Sequence, residues 1–423
     1  MERDNALTEI AWLTTTHGRM TVAELLKKAH LGPTQLKGTE HAPIMLDKTI
    51  PGYLYTGQMR LLLAVAGVAL RYSRYVQQNP LRINHKELLR RGIDSEAIDK
   101  AMKILDPGAH LFDSIQPFMQ RPLEEEPAEE KRKKLRYPDS WTIGPGNKPV
   151  KKLLPSMLSD DGESFWDLSS HREKLNLEDA TLHLVGYHNY SVTGNNAYAN
   201  MKAETDSPGI HFARKNVTIT EILWEGKSLL HTLLSMLPKS WVEGDGLPAW
   251  ADRDGMSGGS DHPLWRATWS SNTAACVWRD NHLVGVRVGG LPLDWIPAVA
   301  GRFWAISPAT PAAKRDQDEK KTAYKKIRSE YRNTRNIVDP FYFYRINKNG
   351  KAVAQTFDFG RDATDLAVEW AANGSLAEAA RSYDRVMSPQ GCRLVFIRHY
   401  ILSGFRTYVH PTPPHLKYPC PTT

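Results

Sequence analysis

Residues 54–79 read LYTGQMRLLLAVAGVALRYSRYVQQN. Within them Leu54, Met59, Leu62, Leu63, Ala66, Leu70 and Tyr72 recur at the spacing of one helix face. The spacing predicts a helix over 54–79. Asn79-Pro80 stops it, because a proline biases the residue before it away from helical geometry. The most apolar run, Leu61 to Leu70, is ten residues long, well short of the roughly 20 that cross a bilayer. The stretch therefore reads as a buried helix around which a core is built, and no membrane contact is expected.

Upstream, 11–16 read as a strand and His17-Gly18-Arg19 as the turn closing a hairpin. Thr21 is a candidate N-cap for a helix over 22–29. Downstream, a helix is expected over roughly 84–104, ending before Asp106-Pro107-Gly108. Residues 121–164 form a long loop containing Glu124-Glu125-Glu126, Lys131-Arg132-Lys133-Lys134 and Gly144-Pro145-Gly146. Loops of that length in compact proteins are usually functional or disordered. A buried strand is expected at 181–187, an Asn/Gly-rich loop at 188–211, and a helix at 217–237. After a Gly/Asp-rich loop at 243–262 the pattern turns to β. Residues 274–279 and 283–288 flank Asp280-Asn281-His282, and 341–346 and 352–357 flank Asn347-Lys348-Asn349-Gly350. Asn-Gly between alternating apolar runs is a strong hairpin signal. A helix near 362–386, interrupted at Asn373-Gly374, precedes strands at 394–401 and 405–409. The fold class is α+β: an irregular mixed domain with several antiparallel hairpins and a few long helices. The expected organisation is one large domain over 1–410, holding the basic loop 121–164, and an extended Pro-rich tail over 411–423.

Hydrophobic residues make up 41% and charged residues 24% of the 423, an ordinary globular mix that excludes a wholly disordered chain. The net charge is +8, and it is concentrated. Residues 131–152, 314–335 and 393–423 carry +7, +5 and +4, so the remainder is about −8. Focused positive charge suits a polyanion. The same stretches also read as solvated basic loops. Three scattered cysteines, Cys276, Cys392 and Cys420, propose no thiolate zinc site and fit a reducing compartment. With no signal-peptide pattern at the N-terminus, a cytoplasmic location is expected.

The sequence contains no phosphate-binding G-x-x-x-x-G-K-[ST], no G-x-G-x-x-G after a strand and no H-E-x-x-H. The expectation is a non-enzymatic protein without cofactors. A rival reading is a metal-dependent nuclease using Asp252, Asp254 and His262, with Asp261 nearby. His183 and His188, five apart, would lie on opposite faces of the expected strand and share no metal. Binding signals are stronger. The loop Gly194-Asn195-Asn196-Ala197, followed by Lys202, combines small residues that permit close backbone approach with amides suited to base edges or sugars, and a cation for phosphate. Residues 324–335, containing Lys325, Lys326 and Arg328, interleave basic residues with tyrosines, as segments that track a phosphate backbone do. The C-terminal β segment adds Arg393, Arg398, His399, Ser403 and Arg406, with Arg398 expected on the face opposite Ile397. Lys133 and Lys134 complete the candidate contacts. A scaffold that holds RNA alone is a third reading.

Pro117-Phe118-Met119-Gln120, preceded by Leu111-Phe112, resembles a motif of the large subunit of type I-E Cascade, the CasA family. Other features follow in the family's order: Trp12 in a short early strand, the helix 54–79, the Gly194–Lys202 loop, Ser207-Pro208-Gly209, Leu237-Pro238, Phe303-Trp304, the hairpin 341–357 and the strands at 393–409. The resemblance implies a CRISPR RNA-guided surveillance complex. In it this subunit would read a protospacer-adjacent motif in duplex DNA through the minor groove and help open the duplex for guide pairing. The implied partners are other Cascade subunits, CRISPR RNA, double-stranded target DNA and an effector nuclease or other effector. Gly194–Ala197 would enter the groove, and the family's groove lysine corresponds to Lys325, Lys326 or Arg328. The sequence departs from the pattern in three places. Its loop is Asn-rich rather than Gly-rich, the wedge turn reads Ile401-Leu402-Ser403-Gly404 where the family has a Gln, and no zinc-binding Cys cluster is present. The family's C-terminal four-helix bundle is expected to be absent or supplied by another chain.

Overall fold

The computed structural model describes residues 3–32, 43–77, 85–120, 149–153, 174–190, 217–237, 239–252, 262–270, 272–290, 336–339, 344–346, 352–354, 393–401 and 405–411. The core helix, α2 (Gly52–Arg71), is buried at every position from Gly52 to Leu70. By length and composition alone it is sufficient to cross a membrane, but its whole apolar window is enclosed by protein, as a core helix is. It ends earlier than its spacing predicts. Asp94 accounts for the break: its carboxylate accepts from Ser73 Oγ at 2.9 Å and from the Arg74 backbone N at 3.0 Å, opening a separate turn, α3 (Arg74–Gln77). Before it lie the hairpin β1–β2 (Leu13–Thr15, Gly18–Met20) and α1 (Val22–Lys28), which Thr21 caps as expected and Glu24 completes as a reciprocal box.

Three sequence expectations are corrected. The helix over 84–104 is two, α4 (His85–Arg91) and α5 (Ser95–Leu105). Gly92 separates them at φ +84°, where a Cβ would lie 2.5 Å from the His30 ring. The strand at 181–187 is instead part of α6 (Leu177–Tyr190). This helix is buried on nearly every side, so its sequence carries no amphipathic period to betray it. It crosses α2 closely: a Cβ on Gly186 would come within 2.8 Å of the Leu54 side chain. The helix at 217–237 is a strand, β3 (Val217–Glu225), followed by α7 (Leu229–Met236), whose N-cap is Ser228. Apolar positions at 219, 222 and 223 fit either period, and the β-branched run Val217-Thr218-Ile219-Thr220 favours the strand.

Short helices α8 (Lys239–Val242) and α9 (Pro263–Thr268) follow. The hairpin β4–β5 (Asn272–Arg279, His282–Gly290) forms as expected, with Asp280 and Asn281 at φ +48° and +57°. That pair of left-handed residues is the two-residue turn that matches strand twist. Next come β6 (Asn336–Asp339) and the hairpin β7–β8 (Tyr344–Ile346, Ala352–Ala354), which pairs within the expected hairpin, while 341–343 and 355–357 lie outside the described residues. The last strands are β9 (Arg393–Ile401) and β10 (Phe405–Pro411). One sheet has the order β10-β9-β3-β6. In it β9 runs antiparallel to β10 and β3, while β6 runs parallel to β3. The helix α2 is the hub, with α5, α6, α7 and α8 packed on it and β9 and β10 against it. The helix expected near 362–386 and residues 412–423 lie outside the described residues.

The Pro117-Phe118-Met119-Gln120 motif is a structural knot. Phe118 is fully buried edge-on to Trp250, with ring centroids 5.4 Å apart. Gln120 Nε2 donates to the Leu111 carbonyl at 3.2 Å, and Trp278 Nε1 on β4 donates to Gln120 Oε1 at 3.4 Å. The N-terminus is pinned alongside. Leu111 N donates to the Asp4 carbonyl at 3.0 Å, and the His110 ring lies between Asp4 Oδ1 (2.9 Å) and Asp106 Oδ1 (3.3 Å). Burial works against the His110 proton, but the hydrogen bond and charge of Asp4 and the charge of Asp106 outweigh it, so its pKa is raised above 6.5. A pKa raised on folding stabilises the fold fully below the unfolded value and loses that effect as pH rises through the folded value. The melting temperature of wild type should therefore exceed that of His110→Asn more at pH 5.5 than at pH 8.5. A difference independent of pH would refute the charged clasp.

Candidate nucleic-acid interface

Most candidate contact residues lie outside the described residues: Lys133, Lys134, Gly194, Asn195, Asn196, Ala197, Lys202, Lys325, Lys326, Arg328 and Ser403. Arg406 lies in β10, paired in register with Tyr400. The structure fixes the elements from which these segments depart. The Asn-rich loop follows α6 and precedes β3. At its near end Tyr190 is fully buried, and its hydroxyl accepts from Arg60 Nε at 2.9 Å. At its far end Val217 pairs with Ile401. The basic segment 314–335 leads directly into β6, whose first residue, Asn336, pairs with Thr218. The turn holding Ser403 joins Ile401 to Phe405, which pair with each other.

The first residues of β3, β6 and β10 and the last of β9 thus lie at one end of one sheet. Three segments singled out independently in the sequence enter or leave the fold at that end. Bringing them there requires the parallel pairing of β3 with β6, which no local pattern announces. The fourth segment is mounted elsewhere. The loop containing Lys133 and Lys134 leaves after Gln120, which is tied to β4 through Trp278, and returns at the 3-10 turn Val150–Leu153, which packs on β5. The structure does not bring that anchor to the sheet end.

The metal reading loses its histidine. His262 caps α9: its Nδ1 accepts from the Leu264 backbone N at 3.1 Å, and its Nε2 donates to the Glu243 carbonyl at 2.6 Å. Asp252 is buried, and its carbonyl accepts from Trp265 Nε1 at 2.6 Å. Asp254 and Asp261 lie outside the described residues. Among the described residues no three His, Cys, Asp or Glu side chains gather as metal ligands. His183 and His188 sit on a helix, where five residues turn about 140°. His188 is buried, its Nε2 bonded to the Thr268 carbonyl at 2.8 Å, so these two do not converge either.

The chain is similar in fold to a CRISPR-associated protein from Thermus thermophilus, with a TM-score of 0.50 and 16% identity over 99% of this chain and 75% of that one. It is similar to the same extent to Thermus thermophilus CasA, with a TM-score of 0.50 and 16% identity over 99% and 74%. A chain of a CRISPR RNA-guided surveillance complex gives a TM-score of 0.51 and 14% identity over 98% and 76%. No curated protein matches in a sequence comparison. The family model of CRISPR-associated protein Cse1 matches residues 54–373, about three quarters of the chain. The protein therefore belongs to the CRISPR-associated protein Cse1 family, the CasA-type large subunit of type I-E Cascade.

Proposed function

We propose that this large subunit reads a short protospacer-adjacent motif in duplex DNA and starts the strand separation that lets guide RNA pair. The observation that supports the reading is the convergence at one sheet end of the entries to β3 and β6 and of the β9–β10 turn. A groove reader needs a slim loop, phosphate-gripping cations and a wedge on one rigid mount. In this reading Gly194, Asn195, Asn196 and Ala197 enter the minor groove, which only a small-residue loop fits. Lys202, Lys325, Lys326 and Arg328 hold the flanking phosphates. Ser403 tips the wedge, with Arg406 behind it. Lys133 and Lys134 grip the backbone of RNA or DNA from their own mount. The subunit performs no chemistry itself. It acts with the other Cascade subunits, CRISPR RNA, double-stranded target DNA and an effector that cleaves or otherwise acts on the target.

The test is binding of the purified assembly to a library with randomised flanks beside one fixed target. Wild type should select a short flanking motif. The Asn195→Ala/Asn196→Ala variant should relax that selection about tenfold, the discrimination expected of one good amide contact to a base edge. Equal binding of all flanks by an intact wild-type assembly would return the RNA-holding scaffold.

A further inference from the structure

Helix α2 carries one charged residue between Gly52 and Leu70, and it is Arg60. It is 3% exposed. A guanidinium keeps its charge at any site in a protein, so burying it is costly unless acceptors meet its donors. Arg60 Nε donates to the Tyr190 hydroxyl at 2.9 Å, and its Cζ lies 5.7 Å from the centre of the Tyr190 ring. A close helix crossing sets this meeting: three residues earlier, a Cβ on Gly57 would lie 3.5 Å from the Val185 side chain. Tyr190 is the last residue of α6. The two residues before it are tied as well. His188 Nε2 donates to the carbonyl of Thr268, the last residue of α9, at 2.8 Å, and Asn189 Nδ2 donates to the Val185 carbonyl at 2.9 Å. Helix ends ordinarily fray, yet three successive buried side chains hold this final turn.

We infer that Arg60 and Tyr190 are positioning residues for motif reading: their bond fixes where the chain leaves the core toward the groove. The inference rests on the function proposed above, in which the segment after Tyr190 enters the minor groove. Both residues are buried, so they act through that segment and not on DNA. A hydrogen bond adds a direction that apolar packing lacks. The hydroxyl meets Arg60 Nε in one orientation of the ring, and the ring orients the last turn of α6. Buried polar pairs often add little net stability over apolar residues of the same volume; specifying one arrangement is what this pair contributes. Helix α2 also packs against β9 and β10, the strands that carry the wedge turn in the proposed function. One helix thus holds both the exit of the groove segment and the mount of the wedge. A segment held near its bound position before contact loses less freedom on binding.

The test titrates the assembled complex with closed duplexes carrying either the flank that wild type selects or a scrambled one, and measures the melting temperature of each complex. Tyr190→Phe keeps the ring and removes the hydroxyl. Arg60→Met/Tyr190→Phe removes both ends of the bond, so neither end is stranded. Tyr190→Phe should weaken binding of the selected flank about tenfold, the worth of one hydrogen bond to a charged group, and leave the scrambled duplex unchanged. The double variant should regain the melting temperature that Tyr190→Phe loses, because removing both partners is far cheaper than removing one, yet selection should stay lost. Selection that returns with the melting temperature would make the bond merely structural and overturn the inference, as would equal weakening on both duplexes. If the double variant does not assemble, the comparison of the two duplexes with Tyr190→Phe decides. Asn195→Ala/Asn196→Ala is measured alongside. Selection relaxed by the Asn pair but kept by Tyr190→Phe would sink the inference and leave the motif reading standing. Selection kept by the Asn pair but relaxed by Tyr190→Phe would leave the clasp standing and move the groove contacts elsewhere. A wild type that selects no flank would remove both.

Discussion

Phe118→Ala is expected to lower the stability of the chain by about 3–5 kcal/mol, the usual cost of emptying a buried aromatic site. The size follows from what the ring joins. Phe118 has no exposed surface and meets Trp250 edge-on, while its backbone N donates to the His110 carbonyl at 2.8 Å. The next residue, Met119, is held at φ +51°, a left-handed conformation that a non-glycine residue keeps only where its surroundings enforce it. Gln120 then ties the segment to Leu111 and to Trp278. Removing the ring therefore loosens the N-terminal segment, the 250 region and the β4–β5 hairpin together, and neighbours so constrained relax little into the space. Urea unfolding of the purified chain measures the effect, and Phe118→Leu, which keeps much of the volume, should lose distinctly less. A loss below about 1 kcal/mol for the alanine variant would show that the knot is not packed as described.

Lys325→Ala/Lys326→Ala should weaken binding of duplex target by about tenfold or more at moderate salt. It should also reduce the slope of log affinity against log salt by roughly 1.8, about 0.9 for each phosphate no longer neutralised. Because phosphates carry no sequence information, the motif selected from the flank library should stay the same while every target binds less well. This separates the pair from Asn195→Ala/Asn196→Ala, whose effect falls on selection. A titration from about 50 to 300 mM salt with the assembled complex reads both quantities. An unchanged slope would place the two lysines away from the DNA backbone and remove the basic segment from the interface.

Local chemistry was enough to read several elements. The Thr21 cap, the turn at Asp280 and Asn281, and the apolar face of α2 each state their structure within a few residues. Alternation in Arg393–Ile401 likewise suits a strand, and Ile397 and Val395, two apart, are both buried. Residues 177–190 and 217–225 were not legible in this way. A helix buried all round has no amphipathic period, and a short apolar run satisfies both the strand and the helix spacing until its neighbours choose. The break of α2 at Ser73 was hidden for a related reason, since the carboxylate responsible, Asp94, lies 21 residues away.

By itself, then, the sequence determined the α+β class, the hairpins, the central helix and which segments carry the charge, because turns, caps and periodicity are written in neighbouring residues. Only the tertiary structure decided which of those segments share a mount. Thr218 and Asn336 are 118 positions apart and meet in a parallel pair, and Val217 meets Ile401. Such pairings are set by the burial of a whole sheet against α2 and α7. Backbone hydrogen bonds are the same for every residue, so the partner of a strand is chosen by the packing of the complete core, and no single segment encodes it.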